Sequence, residues 1–364
     1  MRSGRSSRPG SPGWFQPIAL VLRLLVLGVG LGVLTGTVLQ QLAPRLAQGA
    51  IGSTAKTGAG AGGTAPAPQS GLPGGRFEQK QELVALSQRW KALAAAQKDL
   101  KAGAFLLVLD DGRFAQLDSE LPLPAASSIK TPILLAGLED LDAGKLRWNE
   151  PLPLTKEVVG GGAGWMASRP IGTRFPFYEA ATEMIRVSDN SATNLLIKRL
   201  GGKLALNARF QALGLGATVV NNWLPDLEGT NTTSPHDLAR SIALVDTGEK
   251  LSPRGRDHFR TIMGTSRTNT LLPLGLLEGL GPASSDPDSE LLARGVTVLN
   301  KTGDIGIAYS DAGLIELPNG QRAVAAFMVK GPFNDPRSAD LIRAMAAAAS
   351  QTLVGRSSPS PQPR

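Results

Sequence analysis

Strand-like and helix-like segments are segregated along this chain, and that order restricts its folds more than any other feature. Ala104 to Leu109 is a continuous apolar run, Asp110-Asp111-Gly112 signals a turn, and Phe114 to Leu117 returns as a second strand. Further strands are legible only late, at Gly295 to Lys301, Ala312 to Leu317 and Arg322 to Val329, the last two joined by an Asn319-Gly320 hairpin turn. Helical spacing fills the interval. A helix opening at Ser127 buries Ile133, Leu134, Leu135, Leu138 and Leu141. Others span Phe177 to Val187, Ser191 to Leu200, Lys203 to Leu213 and Pro235 to Val245, the last with Ser234 as its cap. A helix over 79–97, carrying Leu83, Leu86, Trp90 and Leu93, precedes the strands, and Arg337 to Leu353 closes the chain as another. Strands from both ends and helices from the middle predict an α/β chain of the α+β kind. Its antiparallel sheet is built from both chain ends and flanked by helices, with an all-helical domain inserted and a site in the cleft between the two.

Composition sets the boundaries of that unit. The chain has 364 residues and a formal charge of +8. The basic excess is confined to the ends: residues 1–75 hold five Arg, one Lys and no acid, and Arg356 and Arg364 supply the rest. A neutral folded part argues against a nucleic-acid partner. Residues 1–17 read as a basic cytoplasmic N-terminus and 18–39, apolar except for Arg23, as a transmembrane signal anchor long enough to cross a bilayer. A cleaved signal peptide, with small residues near Ala47 to Ala50, is the competing reading. Either one exports the rest, to the outer side of the cytoplasmic membrane. Gly, Ala and Pro dominate 40–76, a tether without a core. The folded unit is then 77–353, and 354–364 is a tail.

Cysteine is absent, which excludes disulfides, a thiol nucleophile and Cys-based metal sites. The two histidines, His236 and His258, lie in no metal motif and read as surface residues. Neither a metal nor a cofactor is expected.

Three short strings carry chemistry, in this order: Ser127-Ser128-Ile129-Lys130, Ser188-Asp189-Asn190 and Lys301-Thr302-Gly303. Each alone is weak. Ser53-Thr54-Ala55-Lys56 and Lys56-Thr57-Gly58 repeat two of the patterns inside the tether, where low complexity accounts for them. As a set they describe acyl transfer. A spacing of three puts Lys130 on the same face as Ser127, where a neutral amine can take the hydroxyl proton. That amine must lose its charge through desolvation or a nearby cation, for which Lys301 is the candidate. Ser188 can return a proton to the leaving amine, and Asn190 can hold a substrate amide, while Asp189 braces the turn. Lys301 and Thr302 can bind a carboxylate, and Gly303 lets a substrate backbone lie against its strand. The backbone N–H groups of Ser127 and Asp304 would form an oxyanion hole.

These strings match the S-x-x-K, S-D-N and K-T-G set of penicillin-binding proteins and class A β-lactamases. From about residue 80 to 350 the chain resembles that superfamily, and in particular the cyanobacterial class-A-like penicillin-binding proteins, which are D,D-peptidases. Met184-Ile185-Arg186-Val187 and Thr232-Thr233-Ser234-Pro235 also fit the family pattern. The resemblance implies a β-lactamase/transpeptidase-like fold, Ser127 as the acylated nucleophile and Lys130 as a general base. It also implies peptidoglycan stem peptides as substrate and β-lactams as covalent ligands.

The chain departs from the β-lactamases at Trp223-Leu224-Pro225-Asp226-Leu227-Glu228. Class A β-lactamases carry E-x-x-L-N there, whose Glu activates the deacylating water. Alignment on Pro225 and Leu227 places Leu224 at the Glu position and Glu228 at the Asn position. Leu takes no proton, and a positioned general base contributes roughly 10²–10⁴-fold. Three readings follow: a membrane-anchored D,D-peptidase trapped by penicillin, a β-lactamase whose base has moved to Asp226 or Glu228, or a non-catalytic sensor of the cell wall. A smaller departure is the lack of an Arg near Asp311-Ala312-Gly313-Leu314, where many β-lactamases grip the substrate carboxylate.

Overall fold

A computed structural model describes residues 77–354, apart from 283 and 284. The basic N-terminus, the apolar span at 18–39, the tether up to Arg76 and the tail beyond Val354 lie outside the described residues. Among the described residues no helix is long and apolar enough to cross a membrane.

The chain runs β1 (Gln81–Glu82), α1 (Val84–Ala95), β2 (Lys101–Val108), β3 (Arg113–Leu117) and β4 (Leu123–Pro124). A 3₁₀ turn over Ala126–Ile129 leads into α2 (Lys130–Asp142), followed by the short strands β5 (Pro151–Pro153) and β6 (Arg174–Pro176). Helices α3 (Phe177–Arg186), α4 (Asn190–Arg199) and α5 (Gly202–Ala212) come next, then β7 (Thr232–Thr233), α6 (Pro235–Asp246), α7 (Pro253–Met263), α8 (Leu272–Leu280) and α9 (Pro287–Ala293). The chain finishes with β8 (Thr297–Asp304), β9 (Ala308–Glu316), β10 (Arg322–Lys330) and α10 (Pro336–Leu353).

Strands from the two ends interleave in one six-stranded sheet of order β1-β3-β2-β10-β9-β8. All pairings are antiparallel except β1 with β3. Both faces are covered, so the central strands read as unbroken apolar runs while their side chains still alternate. In β2, Phe105 and Leu107 face a core shared with the inserted helices, and Ala104, Leu106 and Val108 face a second core. Trp90 on α1 fills that second core and donates its indole N–H to the Met345 carbonyl at 2.8 Å. The strand β8 lies at the sheet edge, with one side free to face a cleft.

Three features differ from the sequence expectations. The segment 271–292, which has no assignable role as sequence, forms α8 and α9. There the missing side chains of Gly275 and Gly279 let α8 approach the backbone of α10 at Arg343 and Ala347. The helix expected to open at Ser127 opens instead at Lys130, with the serine in the preceding 3₁₀ turn. The histidines are not plain surface groups. His236 packs edge-on between Phe77 and Phe105, and His258 stacks on Trp148 with ring centroids 4.2 Å apart.

Candidate active site

The three strings, 174 positions apart from Ser127 to Lys301 in the numbering, converge at one end of the cleft. The 3₁₀ turn performs the first alignment. At three residues per turn, positions i and i+3 eclipse, so Lys130 stands directly over Ser127 and its Nζ lies 3.0 Å from the Ser127 Oγ. The same Nζ lies 2.9 Å from Ser188 Oγ, 2.7 Å from the Ser188 carbonyl and 2.9 Å from Asn190 Oδ1. An ammonium has three protons for these four oxygens. A neutral amine donates to two and offers its lone pair to a third, the hydroxyl proton of Ser127. The environment favours that neutral form. Lys130 is fully buried, and its amine is held well below the ordinary lysine range by desolvation and then by the charge of Lys301, with Asp189 opposing.

Both serines are held by backbone conformations that L-residues seldom adopt. Ser188 has φ +60° and Ala126, just before the nucleophile, φ +48°. Such positions cost about 1–3 kcal/mol each and persist where the surroundings over-determine them. Asp189 supplies part of that constraint. Its Oδ1 caps α4 through the Ala192 N–H at 2.9 Å, and its Oδ2 accepts from the N–H groups of Trp165 and Met166 at 2.6 and 2.8 Å. Asn190 completes the bridge, donating from Nδ2 to the Gly161 carbonyl at 2.8 Å. The run Gly160-Gly161-Gly162-Ala163-Gly164 thereby becomes a wall of the cleft. Its glycine content marks a turn in the sequence, but nothing there links it to Ser188.

The third string meets the first through Gly303. A Cβ there would fall 2.7 Å from the Ser127 nitrogen and 2.8 Å from that of Ser128. Gly303 is therefore required by the close approach of β8 to the nucleophile's own turn, a reason different from the expected room for substrate. Asp304, the next residue, lines the cleft beside Ser127. Lys301 is fully buried and donates to the Thr302 carbonyl at 2.5 Å. Burial pulls its pKa down to about 8 against the attraction of Asp311. Thr302 departs from expectation. Its hydroxyl donates to the Asp311 carboxylate at 3.0 Å, so carboxylate attraction falls to the charge of Lys301. Asp311, unassigned from the sequence, is buried and raised to about 6 by desolvation, while Asn300, Leu272 N–H and Thr302 partly stabilise its charge. Only the fold reveals it, because its partners come from two separate segments, β8 and the start of α8.

Leu224, Asp226 and Glu228 separate in space. Leu224 and Asp226 line a cavity of about 240 Å³ together with Ser127, Asn190 and Asp304. The main chain of Leu224 is clamped by the Asn194 amide, which accepts from its N–H at 2.9 Å and donates to its carbonyl at 2.7 Å. Asp226 spends both carboxylate oxygens inside its own loop, on Thr230 Oγ1 at 2.9 Å and Asn231 N–H at 2.6 Å. Glu228 is exposed and is not among the lining residues.

A family model described as the beta-lactamase enzyme family matches residues 85–353. The chain belongs to that family. Its arrangement is that of a serine hydrolase with a β-lactamase/transpeptidase-like fold. A curated β-lactamase from Streptomyces cellulosae is 29% identical over 272 residues, 72% of this chain and 78% of the relative. Among solved structures, PBP-A is 42% identical with a TM-score of 0.69, covering 76% of this chain and 98% of PBP-A. A leucine-to-glutamate mutant of PBP-A, solved as its acyl-enzyme complex with penicillin G, matches equally well. A variant of the class A β-lactamase of the last common ancestor of Gram-negative bacteria shares the fold at 23% identity and TM-score 0.64, over 74% of this chain and 99% of that one.

Proposed function

We propose that this serine hydrolase is a membrane-anchored, penicillin-binding D,D-peptidase of the carboxypeptidase or endopeptidase type, acting on peptidoglycan stem peptides outside the cytoplasmic membrane. The observation that carries this reading is Leu224. A leucine with a clamped main chain lines the cleft beside Ser127, at the position that the sequence alignment on Pro225 and Leu227 gives to the carboxylate base of the β-lactamases.

The reaction proceeds from the geometry. Neutral Lys130 takes the Ser127 proton as Oγ attacks the peptide carbonyl, and the negative oxygen is received by the N–H groups of Ser127 and Asp304. The tetrahedral adduct collapses to an ester on Ser127. The departing amine receives a proton through Ser188, which is hydrogen-bonded to Lys130 at 2.9 Å. A departing D-amino acid then leaves room for water to cleave the ester. The amine of an opened β-lactam stays tethered in the cleft, and with Leu224 at the water site the ester persists.

Membrane anchoring rests on the apolar span at 18–39, following Arg2, Arg5 and Arg8. Intact-mass measurement tests the catalytic reading: penicillin G should add its full mass to the protein and Ser127→Ala should abolish the adduct. Labelling that survives the substitution contradicts the mechanism.

A β-lactamase reading draws on the position of Asp226 in the cleft wall. It predicts rapid steady-state turnover of a cephalosporin that Asp226→Asn or Glu228→Gln removes. The engagement of both Asp226 oxygens within its loop favours the peptidase instead. A sensor without catalysis would give no D-alanine release from a stem-peptide mimic.

A further inference from the structure

The side chain of Asp304 stands where acyl-transfer chemistry gains nothing from a carboxylate. Its own N–H is directed to the developing oxyanion in the reaction above, and a fixed negative charge on the same residue opposes that oxygen and repels an anionic substrate. The residue is nevertheless exposed and lines the cleft together with Ser127 and the apolar Ile305 and Leu227. It is also oriented. Oδ1 accepts the Gly306 N–H at 2.7 Å, and Oδ2 has no partner among the described residues. No Lys, Arg or His pairs with it there either. The cavity lining holds one other charged group, Asp226, whose oxygens are already engaged, and the cation nearby, Lys301, is buried, as is the amine of Lys130. The opening of the cleft is therefore acidic and its interior basic.

We propose that the Asp304 carboxylate is a recognition point for an ammonium group on the acyl donor, so that the enzyme selects peptides with a free side-chain amine near the scissile bond. Strand β8 is the sheet edge, and an extended peptide laid along it as an added strand brings one of its side chains to the level of Asp304. A diamino-acid residue there puts its ammonium against Oδ2, neutralises the unpaired carboxylate and removes its penalty on the oxyanion. A donor with an acylated amine leaves the penalty in place. This specificity rests on the D,D-peptidase reading for its natural substrate, but the charge preference itself applies to any acyl donor in the cleft.

The test compares two matched pairs of donors on the full chain. One pair is a D-alanyl-D-alanine peptide with its side-chain amine free or acetylated. The other is a penicillin with an ammonium on its side chain against penicillin G. Within each pair the ammonium form should have the higher acylation efficiency, by up to about fivefold, the upper end for an exposed ion pair. Asp304→Asn should bring both ratios to about one, and Asp304→Glu should retain part of the preference. The ratio is the readout, so a general loss of rate in either variant leaves it interpretable. In the unmodified protein the preference should shrink as salt rises from 0.05 to 0.5 M, values of about the ionic strengths over which exposed pairs are screened. Equal rates within both pairs, or a preference that Asp304→Asn leaves intact, overturns the proposal. If neither peptide is cleaved while the penicillins acylate, the peptidase reading falls and the penicillin ratio still judges Asp304.

Discussion

Lys130 concentrates the chemistry of this site into one amine. Its four oxygen neighbours belong to Ser127, Ser188 and Asn190, so the first two strings meet at its nitrogen. Desolvation and the charge of Lys301 hold its pKa well below the ordinary lysine range, so acylation should follow the neutral fraction of Lys130. Replacing Lys301 by Met removes the repulsive cation. The Lys130 pKa then rises, and the acid limb of the acylation pH profile should move to higher pH, read as the rate of adduct formation from pH 5 to 9, a range of roughly two units either side of neutrality. In the unmodified protein the alkaline limb should appear near the Lys301 pKa of about 8, where its attraction for anionic donors is lost. At this scale the sequence was informative wherever chemistry dictates residue type and spacing, as at Ser127, Lys130 and Ser188. It was silent on Asp311 and Asn194, whose roles depend on contacts between distant segments. It misjudged Thr302, whose hydroxyl turns to Asp311 once the fold brings the two together.

Elements place those residues through a few constraints that local sequence only partly announces. The Ser234 cap was legible because Ser before Pro at a helix start is a local signal, and its Oγ accepts the Asp237 N–H at 3.1 Å. The 3₁₀ turn at Ser127 was not legible, since hydrophobic periodicity does not separate one turn of 3₁₀ from the first turn of an α-helix. Asp189 links α4 to the segment at Trp165 and Met166. Asp189→Ala deletes a cap and strands two N–H donors, the buried one of Met166 and the half-buried one of Trp165, a loss of about 2–4 kcal/mol that should appear as a lowered denaturation midpoint. Gly279→Val should also destabilise, by about 1–3 kcal/mol or more, by forcing α8 away from α10, while leaving the pH profile of acylation in place. A midpoint unchanged by that substitution contradicts the close α8–α10 packing.

The fold places the site between a sheet assembled from both ends of the folded unit and an insert of helices. That architecture was readable from the order of periodicities, because strands that open and close a folded unit pair with each other only in a sheet that encloses the intervening chain. The details that separate peptidase from β-lactamase were not readable from that order. On the proposed reading they sit in the segment from Leu224 to Glu228, where one side chain replaces another without changing any element. At this scale a chain lacking residues 1–76 should remain in the soluble fraction and still form the penicillin adduct, whereas the full chain should sediment with membranes. A full chain that stays soluble contradicts the anchor.

The decisive measurement is the lifetime of the penicillin G adduct on Ser127, followed by intact mass after excess drug is removed. Slow release from the unmodified protein and a release faster by at least about tenfold in Leu224→Glu are the predicted results, within the range for a restored general base. Rapid release from the unmodified protein, or a lifetime that Leu224→Glu leaves unchanged, contradicts the proposal that Leu224 makes the penicillin ester on Ser127 persist.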